Sequence, residues 1–369
     1  MCLKIMHTGD VHLGMKFTQY PQISAELEAA RYQALENVIK EANNRSVNLL
    51  AIAGDLFDKT NIKSVDLKKT VEILDKFAGD AVLILPGNHD YSDGITALWD
   101  EFEKEIKGRM LILDQEKIYK LNDFGISAAV YPAPCDSKLS DQNKLGWIKE
   151  LTERPDTDYH LALAHGALAG FSPDLNDNYF KMTREELLNL EMDIWLLGHS
   201  HLPYPQQKNV KMQKIFNNGT PEPDGMDCKH PGYAWYIELN KEKEIEAEQI
   251  KTGNYHFADL EKKVSSQAEL ESLINEIINS DPENKILRLK LKGELPRDIF
   301  ADKDKYLAKL RDSCFYAKID QSALNIKIDQ DLIAEEFAEN SFPYQLLSEL
   351  EDNSQALHLA YKMLKEVQQ

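Results

Sequence analysis

Two short segments of this chain are almost wholly apolar, and a helical pattern lies between them. Residues 47–53 and 81–85 form these runs, and uninterrupted apolar runs of this length are typical of parallel strands covered on both faces. Apolar residues from Leu27 to Ala42 recur with the spacing of one helical face, and Ser64 can cap a second helix that runs to about Phe77. This alternation predicts an α/β fold built on a parallel sheet.

Five short polar islands follow the predicted strands. They are Asp10-Val11-His12, Gly54-Asp55, Gly87-Asn88-His89-Asp90, His165-Gly166 and Gly198-His199-Ser200-His201. The two apolar runs precede the second and third islands, and predicted strands at 3–7, 161–164 and 194–197 precede the others. Because ligands collect at the carboxyl ends of the strands in such sheets, we expect the five islands to converge.

The islands supply carboxylate, imidazole and amide groups, which suit Mn²⁺, Fe²⁺ or Zn²⁺ better than copper. Two ions about 3.5–4 Å apart need a bridging ligand, and Asp55, alone at its strand end, is the candidate. A purely structural reading would bury these polar groups without partners, which is costly. We therefore predict a site for two divalent ions with these ligands: Asp10, His12, Asp55, Asn88, His165, His199 and His201.

The pattern changes after residue 201 to shorter strands, which we interpret as the second sheet of the same domain. We place a domain boundary near residue 255, so that 1–254 is the catalytic domain. Residues 255–330 combine a helical stripe from Leu270 to Ile278 with an alternating strand at 286–291, as expected of a small α+β unit. Residues 331–369 read as a tail of short amphipathic helices.

The net charge of −19 bears on the partners of the chain. A protein that binds nucleic acid alone usually presents a basic face, whereas residues 251–330 carry 14 acidic and 14 basic side chains. This balance predicts a modest intrinsic affinity for DNA, helped by dimerisation or by a partner protein. The four cysteines are far apart, which argues against a disulfide framework and a zinc-thiolate site. We see no membrane-spanning run or signal peptide and expect a cytoplasmic protein.

The islands resemble the signature of the calcineurin-like metallophosphoesterase superfamily. Within it, residues 8–14, 54–58 and 218–221 are similar to those of SbcD-type DNA repair exonucleases and their YhaO-like relatives, which pair with SbcC- or YhaN-like ABC ATPases. The resemblance implies a two-sheet αββα sandwich with a smaller C-terminal α+β capping domain that binds DNA. It also implies an ATPase partner, for which the tail at 331–369 is the expected docking segment, and a possible homodimer.

Carried over to this sequence, the resemblance assigns a role to each island. Asp10, His12, Asp55 and His201 would bind one ion, and Asp55, Asn88, His165 and His199 the other. The ions would most often be Mn²⁺. His89 would stabilise the transition state or protonate the leaving oxygen, and Asp90 would orient the groups around it. The implied reaction is exonuclease or endonuclease hydrolysis of DNA phosphodiesters in double-strand-break repair.

Two other functions compete with the nuclease. A small-molecule phosphodiesterase or phosphatase, acting on a nucleotide or a lipid-linked pyrophosphate, agrees better with the acidic charge, while the long C-terminal segment favours the nuclease. A non-catalytic scaffold would show eroded ligands, and none of the seven is missing. Asp58 stands where some relatives of the resembled family have histidine, which leaves the balance of exonuclease and endonuclease activity open.

Overall fold

The computed structural model of the protein describes residues 2–172 and 178–368. Its internal contacts divide the chain into two units, Met1–Phe257 and Ala258–Gln369. The predicted separation of 331–369 from the α+β unit stays a prediction.

The first unit carries the two large sheets. Its strands are β1 (Leu3–Thr8), β2 (Leu49–Ala53), β3 (Ala81–Leu85), β4 (Met110–Ile112), β5 (Tyr119–Lys120), β6 (Ala128–Ala133), β7 (Tyr159–His165), β8 (Ile194–Gly198), β9 (Pro203–Tyr204), β10 (Asn209–Lys211), β11 (Ile215–Asn218), β12 (Tyr233–Leu239) and β13 (Ile245–Lys251). Its helices are α1 (Ser24–Asn44), α2 (Ser64–Leu74), α3 (Leu98–Glu105), α4 (Gly146–Lys149) and α5 (Arg184–Asn189).

Parallel strands form the centre of both sheets. The seven-stranded sheet has the order β10-β13-β12-β1-β2-β3-β4, and β1 to β4 run parallel. The six-stranded sheet has the order β5-β6-β7-β8-β11-β9, with β6, β7, β8 and β11 parallel. The carboxyl ends of β1, β2 and β3 therefore share one edge, as do those of β7 and β8.

Three apolar clusters build the layers of this unit. Ile5 and Leu83 of the first sheet pack with Leu163 of the second in a core between the sheets. The outer face of the first sheet packs against α1, α2 and α3, and the outer face of the second packs against residues of α4 and α5. The predicted α/β two-sheet αββα sandwich is confirmed.

The start of α2 differs from the prediction. Lys63 occupies the N-cap position, and no side chain caps the helix, so the predicted cap by Ser64 is wrong. The helix also ends at Leu74 rather than near Phe77. Phe77 is nevertheless buried, because a turn in which its N–H donates to the Leu74 carbonyl oxygen continues from the helix.

The second unit contains a three-stranded sheet and two groups of helices. Its elements are β14 (His256–Val264), which begins in the first unit, α6 (Gln267–Ile278), β15 (Lys285–Leu295), α7 (Arg297–Ser313), β16 (Tyr316–Ile326), α8 (Gln330–Glu336), α9 (Phe342–Glu349) and α10 (Ser354–Gln368). The sheet order is β14-β15-β16, and apolar residues of α6 and α7 pack with its core. The helices α8 to α10 share a separate apolar cluster. None of the helices in the described residues is both long and apolar enough to cross a membrane.

Candidate metal centre

The ends of five strands bring the predicted ligands together. β1, β2 and β3 of the first sheet lead into the first three islands, and β7 and β8 of the second sheet lead into the other two. Five of the seven side chains are almost fully buried, at about 1% exposure or less: Asp10, His12, Asp55, Asn88 and His165. The convergence that the sequence predicted is therefore present in the fold.

The backbone at this edge adopts conformations that are rare for residues with a side chain. Positive φ angles occur at Asp10 (50°), His12 (48°), Asp55 (52°), His199 (100°) and His201 (52°). Each such residue costs about 1–3 kcal/mol, and residues of this kind cluster at functional sites. Five strained residues among seven predicted ligands indicate that the turns are shaped to direct these side chains to one point.

One group of ligand atoms combines Asp10, His12 and His201. The Nε2 atoms of the two imidazoles lie 3.0 Å apart, and His201 Nε2 lies 3.7 Å from Asp10 Oδ1. The ligand atoms of these three residues all lie within 4.8 Å of one another. The Asp10 carboxylate is held by the backbone N–H of His199 and by the side-chain amide of Asn218.

A second group surrounds Asp55 and Asn88. The Asp55 Oδ2 atom lies 3.3 Å from His165 Nε2 and 3.6 Å from His12 Nε2, so this carboxylate stands between the two groups. Asn88 Oδ1 lies 2.9 Å from His165 Nε2 and 3.1 Å from His199 Nδ1. The amide oxygen of Asn88 thus faces two imidazoles, as expected if all three residues bind the same ion.

The chemistry of these donors fits divalent ions of the Mn²⁺, Fe²⁺ or Zn²⁺ type. His201 Nδ1 lies 2.7 Å from the Asp224 carboxylate, so the proton of a neutral His201 belongs on Nδ1 and the lone pair on Nε2 faces His12. The buried Nδ1 atom of His12 has no hydrogen-bond partner among the described residues. Two facing imidazole nitrogens with two carboxylates beside them form an arrangement that a cation would satisfy. The assignment of each ligand to an ion stays a prediction.

The pKa values of two of the imidazoles are raised by neighbouring carboxylates. Burial alone lowers the pKa of His165, but the charge of Asp55 and the hydrogen bond to it outweigh burial and raise the pKa to about 9. Burial likewise lowers the pKa of His201, while its ion pair with Asp224 and the charge of Asp10 raise it to about 9. A metal ion must displace these protons to reach the nitrogens.

The other two imidazoles are neutral. Burial and the neighbouring charge of His165 lower the pKa of His199 to about 3. Burial also holds the pKa of His12 well below its ordinary value, against the opposing effect of Asp55. These two rings are therefore ready to donate a lone pair without first losing a proton.

His89 and Asp90 have different surroundings. The backbone N–H of His89 donates to Asp55 Oδ1 at 2.8 Å, and its Nδ1 lies 3.0 Å from the Asp58 carbonyl oxygen. The Asp90 carboxylate is fully buried and accepts the backbone N–H groups of Gly87 (2.7 Å) and Phe57 (2.9 Å). Burial and the charge of Asp55 raise the pKa of Asp90 to about 7. Asp90 therefore ties two ligand-bearing loops together, while the ring of His89 lies beside the ligands.

Two residues near the ligands were missed in the sequence. Arg31 is almost fully buried and donates to the carbonyl oxygens of Val11 (2.6 Å) and Asp10 (3.1 Å), which holds the first island. The sequence could have indicated Arg31, because it falls on the apolar stripe of α1, where a charged residue is unexpected. Asp224 carried no such signal, because only folding brings it to His201.

Comparison with known proteins identifies the family of the chain. The calcineurin-like phosphoesterase family matches residues 3–203, more than half of the chain. The protein therefore belongs to this family of metallophosphoesterases, a class of hydrolases, and its structure brings together candidate ligands for divalent ions.

Two curated proteins show which members of the family the chain is similar to. The chain is 28% identical over 208 residues to the uncharacterized metallophosphoesterase YhaO of Bacillus subtilis, covering 54% of this chain and 48% of YhaO. It is 26% identical over 343 residues to the DNA double-strand break repair protein Mre11 of Methanosarcina mazei, covering 90% of this chain and 52% of that protein. The chain thus spans about half the length of the curated relatives it matches. The predicted resemblance to SbcD/YhaO-type proteins is confirmed.

A solved structure also aligns with the chain. The calcineurin-like phosphoesterase YfkN from Bacillus subtilis is 13% identical with a TM-score of 0.40, over 68% of this chain and 90% of that one. A likeness this weak adds nothing to the family match.

Proposed function

We propose that the protein is a dinuclear, Mn²⁺-dependent nuclease that hydrolyses DNA phosphodiester bonds in an SbcD-like role in break repair. The observation that carries the proposal is the position of Asp55, whose Oδ2 atom lies within 3.6 Å of imidazoles from both ligand groups. A carboxylate between two such groups is the arrangement that a bridged pair of ions needs. Asp10, His12 and His201 would complete one ion site, and Asn88, His165 and His199 the other.

Bound ions would supply positive charge to the phosphate and lower the pKa of an attacking water. The remaining work falls to the side chains. The Nδ1–H of His89 donates to the Asp58 carbonyl oxygen, which fixes the ring and leaves Nε2 free to act. When the ring carries a second proton, on Nε2, that proton would pass to the leaving oxygen and the ring would become neutral. Asp90 would hold the loop of His89 against the loop of Asp55. In this assignment Asp90 acts through the backbone rather than on the substrate.

Two observations support DNA as the substrate. The match to the repair protein Mre11 extends over 90% of this chain and so reaches beyond the family domain. The second unit adds a sheet whose β15 carries Arg288, Lys290 and Lys292. Arg288 and Lys292 are paired with Asp259 and Glu261 in this structure, so phosphates would have to compete for them. We therefore expect weak, salt-sensitive binding by the chain alone.

The need for a partner follows from the same charges. With a net charge of −19, the protein has little long-range attraction for a polyanion. A second copy of the chain or an ATPase of the SbcC or YhaN type would supply the missing affinity. The tail at 331–369 remains the proposed docking segment for such an ATPase.

The test is metal-dependent hydrolysis by the purified protein. The substrates are linear and circular DNA, single- and double-stranded, with bis-p-nitrophenyl phosphate as a generic diester. We expect DNA cleavage with Mn²⁺ that is lost in His89→Ala and kept in His160→Gln, a matched control whose ring contacts Tyr131 away from the ligands.

The outcomes separate the competing functions. Cleavage of circular DNA would reveal an endonuclease component. Diester hydrolysis with every DNA left intact, even after addition of an SbcC-type ATPase, would refute the nuclease and favour a small phosphoester substrate. Equal activity with and without a metal chelator would refute the metal centre itself.

A further inference from the structure

The segment 224–230 holds His201 from two sides. The Asp224 carboxylate lies 2.7 Å from Nδ1 of the His201 ring, and its side chain is 13% exposed. The Nε2–H of His230 donates to the His201 carbonyl oxygen at 2.7 Å. One contact fixes the ring and the other fixes the backbone, at a residue whose φ of 52° is itself unfavourable. We call this pair of contacts the His201 clamp.

The other histidines that we assign as ligands are held differently. His165 Nδ1 lies 2.8 Å from the backbone carbonyl oxygen of Ala53. His12 Nδ1 is buried and has no hydrogen-bond partner in the described part of the chain, and His199 Nδ1 faces Asn88. Of these four rings, only that of His201 has a carboxylate of the described residues 2–172 and 178–368 within hydrogen-bond distance of the nitrogen that points away from the ligand groups.

We propose that Asp224 is a positioning residue that sets the affinity of one of the two ion sites through His201. This inference rests on the proposed metal centre. A carboxylate that accepts the Nδ1–H of a ligand histidine fixes the tautomer, orients the ring and raises the basicity of Nε2. Because the described contacts of Asp224 include no residue of the second ligand group, its effect falls on the site of Asp10, His12 and His201.

The His201 ring is more exposed than the rings of His12 and His165 and therefore depends more on its contact with Asp224. The side chain of His201 is 28% exposed, whereas the side chains of His12 and His165 are at most 1% exposed. The buried rings of His12 and His165 are enclosed by neighbouring side chains, and that of His165 also contacts the Ala53 carbonyl oxygen. The more exposed ring of His201 depends on the Asp224 carboxylate for its orientation. Loss of such an outer partner commonly lowers metal affinity by about 10- to 100-fold.

The experiment compares Mn²⁺ binding by the full chain and its Asp224→Ala, Asp224→Asn and Asp227→Ala variants. Asp227 lies in the same segment and is exposed, so it serves as the matched control. We expect calorimetric titration with MnCl₂ to show one site weakened about 10- to 100-fold in Asp224→Ala and the other unchanged. Asp224→Asn, which keeps an acceptor oxygen but not the charge, should fall between that variant and the wild type.

Electron paramagnetic resonance gives a second readout that a general loss of stability would not produce. At a Mn²⁺ concentration that fills both sites of the wild type, Asp224→Ala should show the six-line signal of an isolated ion in place of the coupled signal of a pair. In a His201→Ala background, adding Asp224→Ala should cause no further loss of affinity, because the two residues act as a unit.

Three results would overturn the inference. Two unchanged Mn²⁺ affinities in Asp224→Ala would exclude a positioning role, and an equal loss at both sites would exclude its selectivity. An undiminished effect of Asp224→Ala in the His201→Ala background would show that Asp224 acts by another route. Absence of Mn²⁺ binding by the wild type would instead refute the metal centre on which the inference rests.

Discussion

Metal binding by this protein should release protons, and the structure identifies two rings that would supply them. His165 and His201 have pKa values of about 9, whereas an unperturbed histidine titrates near about 6.5. Both rings are therefore protonated at pH 7 in the metal-free protein. Since an imidazole must be neutral to bind a metal ion, filling both sites must expel both protons.

The size of the effect follows from those values. At pH 7 each ring lies about two pH units below its pKa, which corresponds to about 3 kcal/mol of free energy to remove each proton. Protons compete with the metal ion for the nitrogens of these two rings. Metal affinity should therefore fall as the pH falls below about 9, where the rings become protonated. Between pH 8 and pH 7 the product of the two binding constants should decrease about 100-fold, tenfold for each ring.

Calorimetry measures this proton release. Titrations with MnCl₂ at pH 7, in buffers of different ionisation enthalpy, give the number of protons expelled as the slope of observed enthalpy against buffer enthalpy. We expect about two protons from these rings, where two ordinary histidines would release about half a proton together. His160→Gln should leave the number unchanged, because burial lowers the pKa of His160 and that ring is neutral. A total release below one proton would refute the reasoning.

Three further predictions concern single substitutions. His89→Ala should lower the rate of diester hydrolysis by about 10²- to 10⁴-fold while two Mn²⁺ ions still bind in equilibrium dialysis, since its ring is not assigned as a ligand. Gly54→Ala should destabilise the fold by about 2–4 kcal/mol in urea unfolding, because the new Cβ would lie 2.0 Å from His165 Nδ1 at a φ of +88°. Gly125→Ala is the control, because its φ of +76° is similar and no described atom outside the adjacent residues lies within 4 Å of the new Cβ. This control should lower the stability by only about 1 kcal/mol. Arg31→Met should cost about 3 kcal/mol by the same measurement. The Val11 carbonyl oxygen would lose its Arg31 donor, and those of Asp10 and Glu222 would share the single proton of the Thr220 hydroxyl. The exposed Lys40→Met on the same helix should cost almost nothing.

The sequence predicted the class of fold and the ligand-bearing turns because both are written in local patterns. Uninterrupted apolar runs marked β2 and β3, and a polar island directly after each marked the edge of the sheet. Strand β14 was not predicted, because its alternating exposed positions resemble a polar linker. Exposed and half-buried residues likewise alternate along most of β16, so no apolar run marks its start at Tyr316.

Tertiary structure decided which distant residues meet. His12 and His201 are 189 positions apart in the sequence, yet their Nε2 atoms lie 3.0 Å apart. The anchoring of His201 by Asp224 and of the first island by Arg31 had to be read from the fold. Periodicity records which face of an element is buried, and it says nothing about which residue of another layer lies opposite. Donor types and their strand-end positions were thus fixed by the chain itself, whereas the pairing of imidazole with carboxylate across the two sheets depended on how those sheets pack.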